Sequence, residues 1–301
     1  MNRNHAAHLA ALAANLLYGA NYSIAKEVMP AFIKPFGFIL IRVSITTILF
    51  ALCAYFFSKE KIEKADRNRL ILCAVFGIAV NQLLFFKGLS LTSPIDSGLM
   101  MVTNPIFVLL LSGIFLSEII NARRIFGIIC GISGAVLLIL FGHRFSASGN
   151  SSLAGDLFVL INSLSFAIYI VLIKPLMGKY HPFTIMPLVF ASGTLMVFPF
   201  GFEEFKQIEW SSFTPSIWAA TAFVVIGTTF LAYLFNMLAL RQLSAGVVSV
   251  YIYLQPLFAA AFAMLAGKDS LNVIHFLSAA LIFSGVYLTT TGLAVKNRIS
   301  S

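Results

Sequence analysis

Residues 94–116 read PIDSGLMMVTNPIFVLLLSGIFL, and residues 245–266 read AGVVSVYIYLQPLFAAAFAMLA. Each is one apolar run, long enough at about 20 residues to cross the hydrocarbon core of a bilayer as a helix. Each also sets an amide beside a proline near its middle: Asn104-Pro105, followed by Ile106-Phe107, and Gln255-Pro256, followed by Leu257-Phe258. A buried amide needs a partner, and a mid-helix proline removes a backbone hydrogen bond, so the shared pair is not a by-product of apolar composition. The step of 151 residues between the prolines also pairs Ser93 with Ser244, Glu118 with Asp269, Asn121 with Asn272, and Ser133-Gly134 with Ser284-Gly285. Nearer the starts, Asn15, Ala20 and Tyr22 match Asn162, Ala167 and Tyr169. The chain therefore reads as two related halves, 1–145 and 151–301.

Working outward, spans are expected near 6–28, 35–57, 69–91, 94–116, 122–141, 153–174, 182–201, 214–239, 245–266 and 271–293. Five crossings per half is an odd number, so the second half enters the membrane upside down relative to the first. That is the inverted-repeat plan of many secondary transporters, whose sites lie near the midplane between repeats. The expected fold class is an all-α integral membrane protein of ten transmembrane helices in two inverted five-helix repeats.

Composition agrees. Of 301 residues, 59% are hydrophobic and 10% charged, where a soluble domain carries about a quarter charged. In lipid the backbone must satisfy itself, so these runs are helices rather than open sheet. The longest polar stretches, 58–69 and 202–214, leave no room for a soluble domain. The net charge of +9 has a topological explanation rather than a nucleic-acid one. Thirteen of the twenty Lys and Arg fall on the side of the termini, six on the other, and Arg42 lies within a span. Both termini should then be cytoplasmic, in a cell (inner) membrane. Cys53, Cys73 and Cys130 all lie in apolar spans and read as small apolar residues, not a disulfide or metal site. No signal-peptide cleavage region is read at the start, so the first apolar segment is expected to be a retained span.

A longer pattern runs through residues 77–138. It includes Phe85-Phe86-Lys87-Gly88-Leu89, Thr92-Ser93-Pro94, Asn104-Pro105-Ile106-Phe107, Glu118, Gly127, Gly131 and Gly134. With Tyr18-Gly19-Ala20-Asn21 through Lys26 in the first span and Leu40-Ile41-Arg42 in the second, it resembles the EamA family of the drug/metabolite transporter (DMT) superfamily. The second half repeats the pattern more weakly: Asp269 stands where the family usually has Glu, and Val189 stands at the position matching Arg42. The resemblance implies ten helices in inverted repeats and transport of metabolites. Members similar to this chain include the YddG-type exporters of amino acids and related compounds; others handle purine derivatives, sugars or drugs.

About ten positions into the spans, near mid-membrane, stand Asn15, Asn81, Gln82, Asn104, Asn162, Thr228, Thr229 and Gln255. A central cavity would collect them, and Tyr18, Tyr22, Tyr169, Tyr233, Tyr251 and Tyr253 would add ring faces and hydroxyls. Such groups bind a neutral or zwitterionic solute by hydrogen bonds and stacking; the plainer reading is that they bond neighbouring helices. The candidate substrate-binding set is Asn15, Tyr18, Asn81, Gln82, Asn104, Asn162, Tyr169, Thr228, Tyr233 and Gln255. Pro105 and Pro256 are expected to kink their helices, shaping the cavity or only the packing. Lys26, Arg42, Lys87 and Asp96 are expected toward the outer ends of the first four spans, as a gate or charged network. Lys26 and Lys87 can instead snorkel to the interface, and Asp96 can cap its helix. Arg42 lies deepest and is expected to be a structural or gating ion-pair member. Glu118 and Asp269 read as structural, and Gly127, Gly131 and Gly134 as a close-packing or dimerisation face.

An enzyme within the membrane would need a nucleophile with a base, a carboxylate pair or a metal cluster. His5, His8, His143, His181 and His275 all miss the span centres, and no Asp or Glu lies near mid-membrane. No nucleotide-binding loop is visible. The expectation is a non-enzymatic carrier without cofactor or metal, whose partners are a small-molecule substrate and the lipid bilayer, not nucleic acid, and which is a monomer or homodimer.

Overall fold

The structure, a computed structural model, describes residues 3–91, 97, 100–116, 121–142, 153–265 and 273–291. Ser93, Pro94, Asp96, Glu118, His143, Asp269 and Asn272 lie outside the described residues. The described helices form ten segments. The first two are α1 (Arg3–Val28) and α2 (Pro35–Phe57). Next, α3 runs through Arg67–Ala74, Val75–Ala79 and Val80–Leu91, and α4 covers Asn104–Phe115. The middle segments are α5 (Ala122–Gly142), α6 (Leu153–Lys179) and α7 (Pro182–Lys206). Then α8 runs through Pro215–Ala222, Phe223–Leu231 and Ala232–Gln242. Last come α9 (Ala245–Val250, Tyr251–Tyr253 and Leu254–Leu265) and α10 (Val273–Thr291).

Local chemistry sets the starts. Thr214 and Ser244 cap α8 and α9 through their hydroxyls, which accept from Ile217 N and Val247 N, both at 3.3 Å. Proline opens α2, α7 and α8, where its missing N–H costs nothing. At their far ends α6 and α7 run past the apolar stretch into Lys179 and Lys206, cations suited to a helix C-terminus.

The packing shows how the halves are related. Helix α2 lies along α7, and α5 along α10: each helix meets its own counterpart. The remaining pairings come in matched sets, α3 with α6 and α8 with α1, then α4 with α6 and α9 with α1. Self-paired counterparts must straddle a twofold axis. Phe36 and Gly37, at the start of α2, bond Glu204 at the end of α7, while Ser58, after α2, bonds Thr184 at the start of α7. The two helices are thus antiparallel, and the axis lies across them, in the plane of the membrane. This is the inverted repeat of the DMT fold.

Helices α5 and α10 meet along small residues. A Cβ on Gly285 would fall 2.6 Å from the carbonyl oxygen of Gly127 and 2.7 Å from the nitrogen of Gly131, so backbone touches backbone. The glycine face of α5 packs within the chain. Bulky apolar side chains face outward instead: Leu195 is 76% exposed and Ile114 73%. Lipid is the medium that makes such a surface affordable.

The two prolines do not sit in unbroken helices. Just ahead of α4 the chain turns at Val102 and Thr103, and Pro105 stands in the first turn of the helix. In α9 a 3₁₀ turn at Tyr251–Tyr253 precedes Pro256. Each helix breaks just ahead of its proline, because the proline nitrogen cannot bond back to the turn before it.

Candidate functional site

The sequence of α1 places Asn15, Tyr18 and Tyr22 three and four residues apart, hence on one face. That face meets α9. Tyr22 donates its hydroxyl to Gln255 Oε1 at 3.3 Å, Gln255 Nε2 donates to Asn15 Oδ1 at 2.8 Å, and Asn15 Nδ2 donates to Ala11 O at 2.8 Å. The counterpart contact joins α4 to α6, where Asn104 Nδ2 donates to Ser163 O at 2.7 Å. Asn162 Nδ2, beside it, donates to Asn81 O on α3 at 2.7 Å.

Between these contacts, α3 and α8 widen into π-helical turns at Val75–Ala79 and Phe223–Leu231. Such turns free carbonyls from the α ladder and recur at functional sites. Hydroxyls take up the carbonyls here. Ser165 donates to Phe76 O at 2.7 Å, Tyr233 to Gly77 O at 2.8 Å, and Thr228 and Thr229 to Val224 O at 2.8 Å. Gln82 Nε2 donates to Tyr233 Oη at 2.7 Å. Gln82 and Tyr233 occupy the same position of the two halves, 151 residues apart. A residue that bonds its own counterpart lies on the pseudo-twofold axis.

A cavity of about 60 Å³ opens beside that bond, lined by Tyr18, Asn21, Tyr22, Arg42, Asn81, Phe85, Phe86, Met101, Asn162, Phe166, Tyr233 and Gln255. It has room for a few waters. Of the ten expected binding residues, Tyr18, Asn81, Asn162, Tyr233 and Gln255 line it. Asn15, Gln82, Asn104, Tyr169 and Thr228 stand behind the wall and orient it. Thr228 donates to Asn21 Oδ1 at 3.1 Å, and Asn236 Nδ2 donates to Tyr18 Oη at 3.3 Å. Tyr169 packs over Gly77, with its hydroxyl toward the sulfurs of Met186 and Met237. The wall residues that sequence reasoning missed are Asn21, Phe85, Phe86, Met101 and Phe166. Asn21, Phe85 and Phe86 stood within the quoted family pattern; Met101 and Phe166 carried no signal.

Arg42 lies in the wall of the cavity. It is 2% exposed. Its Nε donates to Thr229 Oγ1 at 2.8 Å, and its guanidinium lies 4.1 Å from the centre of the Phe86 ring and 5.9 Å from that of Phe38. No carboxylate among the described residues pairs with it, and its Nη1 has no hydrogen-bond partner. The ion pair expected from its depth does not form among them, because the described acids lie at the ends of the spans. Lys87 sits above Phe36, 6.0 Å from the ring centre, and exposed Lys26 closes α1. The two lysines belong to the ends of the helices, whereas Arg42 belongs to the cavity.

A wider cleft of about 650 Å³ lies where α2, α3 and α7 meet the 58–66 segment, lined in part by Ser58, Glu60, Lys61, Arg67 and Thr184. None of its lining residues belongs to the amide network. At its edge the Glu60 carboxylate accepts from the Thr184 hydroxyl and from His181 N (2.8 Å), and these bonds hold it below the ordinary carboxylate range.

Comparison with known proteins places this arrangement. A family model described as the EamA-like transporter family matches residues 5–140 and again 153–291. The chain is 27% identical over 242 residues to an uncharacterized transporter of Archaeoglobus fulgidus, covering 79% of this chain and 82% of that one. It is 24% identical over 280 residues to the uncharacterized transporter YyaM of Bacillus subtilis, covering 92% and 91%. A solved crystal structure superposes with a TM-score of 0.74 over 99% of this chain and 100% of the other, at 17% identity, a likeness of fold.

Proposed function

The chain belongs to the EamA-like transporter family, and from that premise we propose that it is a secondary carrier exporting small metabolites, amino acids first among them, by alternating access around the central cavity. Purines, sugars or drugs are the other cargoes the resemblance allows. The proposed setting is a cell (inner) membrane with both termini in the cytoplasm, in keeping with the excess of Lys and Arg on that side.

One observation carries the reading. The amides and tyrosines gather around a small cavity on the axis that relates the halves, with a matched helix contact on each side, α1 with α9 and α4 with α6. Opening one contact while the other stays shut would expose the same site to either face. The carrier reading also agrees with a centre too small for a standing pore.

The test is flux into liposomes holding the purified protein, with labelled amino acids, in the presence and absence of a proton gradient. Saturable uptake that falls at least tenfold in Gln255→Ala and Asn162→Ala is the expected result. Uptake of no amino acid by folded, correctly inserted protein would discard the amino-acid reading, and a conductance that never saturates would replace the carrier with a channel.

A further inference from the structure

Arg42 is the single charged group among the described residues that line the cavity, and it is buried with no countercharge among those residues. A guanidinium cannot shed its proton at any ordinary pH, and a buried cation needs an anion and hydrogen-bond acceptors around it. Thr229 supplies one neutral acceptor, and Phe86 covers one face of the guanidinium plane. Stacking of that kind leaves the edge of the plane open, and on that edge Nη1 is unpartnered. A second buried orphan lines the same cavity: Asn162 spends its Nδ2 on Asn81 O, while its Oδ1 has no donor.

We propose that the missing countercharge is the carboxylate of the cargo, bound by Arg42, while Asn162 Oδ1 accepts a hydrogen bond from the cargo's own N–H or O–H donor. This rests on the carrier reading above and names its cargo class: small monocarboxylates that also carry a donor, such as neutral amino acids or hydroxy acids. One cation in the wall matches one negative charge. A phosphate dianion would leave the cavity negative with nothing further to balance it. A carboxylate also fits the guanidinium edge with two parallel hydrogen bonds. An empty carrier would keep the unbalanced cation, and a loaded one would neutralise it, so the cargo itself would favour closure.

The experiment uses proteoliposomes of the full chain and four kinds of labelled probe: neutral amino acids, lactate, glucose and adenine. Each transported acid is then competed with its amide. Saturable flux of amino acids or lactate is expected, with amides competing at least tenfold more weakly. Arg42→Gln should lose at least a hundredfold in kcat/KM for the acids, and Arg42→Lys should recover part of it. Amides that compete as well as acids overturn the proposal without any variant. So does an Arg42→Gln protein with wild-type melting behaviour and unchanged KM. Saturable flux of glucose or adenine alone overturns it too, yet leaves the carrier reading standing. Saturable flux of no probe removes the carrier reading and this inference with it.

Discussion

Glu204 accepts hydrogen bonds from the backbone amides of Phe36 (2.7 Å) and Gly37 (2.9 Å). A carboxylate from one half thus caps the first turn of a helix in the other, where free N–H groups and the helix dipole favour an anion. Glu204→Ala should lower stability by about 1 kcal/mol, read as a drop in the unfolding midpoint in detergent. Glu60 performs a similar service at the opposite end. Its carboxyl is held below its ordinary value of 4.5, first by the Thr184 hydroxyl and then by His181 N–H. The stability it adds is therefore fully present above about pH 4.5 and is lost as the pH falls through the lower folded value. Comparing Glu60→Gln with the wild type from pH 7 down to pH 4 should show a gap that narrows only at the acid end. At this scale the sequence was legible in kind but not in aim. Mid-span amides announced a polar centre, yet which of them face the cavity depends on helix rotation. In a bilayer the outer face is as apolar as the packed one, so the periodicity that would reveal rotation is faint. That is why Gln82 and Asn104 turned out to stand behind the wall, and why Phe85 and Phe86, quoted only as part of the family pattern, were not expected in it.

Among the elements, α5 and α10 offer the cleanest test of packing. Gly285→Ala would push a methyl group into the backbone of α5 at Gly127 and Gly131. With no side chain to swing aside, the helices must part, at a cost of about 1–3 kcal/mol. Gly178 on α6 is the control: a Cβ there meets nothing within 4 Å, so Gly178→Ala should leave the unfolding midpoint unchanged or raise it slightly. The helices themselves were largely readable, since length and hydropathy mark a span. The wide turns in α3 and α8 were not. Residues 75–79 and 223–231 carry no proline and no common motif, and what sustains those turns is hydroxyls arriving from elsewhere, Tyr233 and Ser165 among them.

For the whole molecule, the inverted repeat was visible in shared amide, proline and glycine positions before any packing was known, because those residues resist the drift that blurs apolar matches. The proposed membrane orientation rests on a different signal, the distribution of Lys and Arg. An alkaline phosphatase fusion at the C-terminus should be inactive and a fluorescent-protein fusion bright if both termini are cytoplasmic, and the opposite pair of results would turn the protein over. The interlocking of the halves also has a consequence in time. Glu60 and its partner Thr184 are 124 residues apart, and α2 finds its main neighbour only in α7. A ribosome adding ~5–20 residues per second delivers that neighbour on the order of ten seconds after α2 has left it. During synthesis the first half waits in the bilayer with its future interface turned to lipid or to the insertion machinery, and the protein acquires its centre only when the second half arrives.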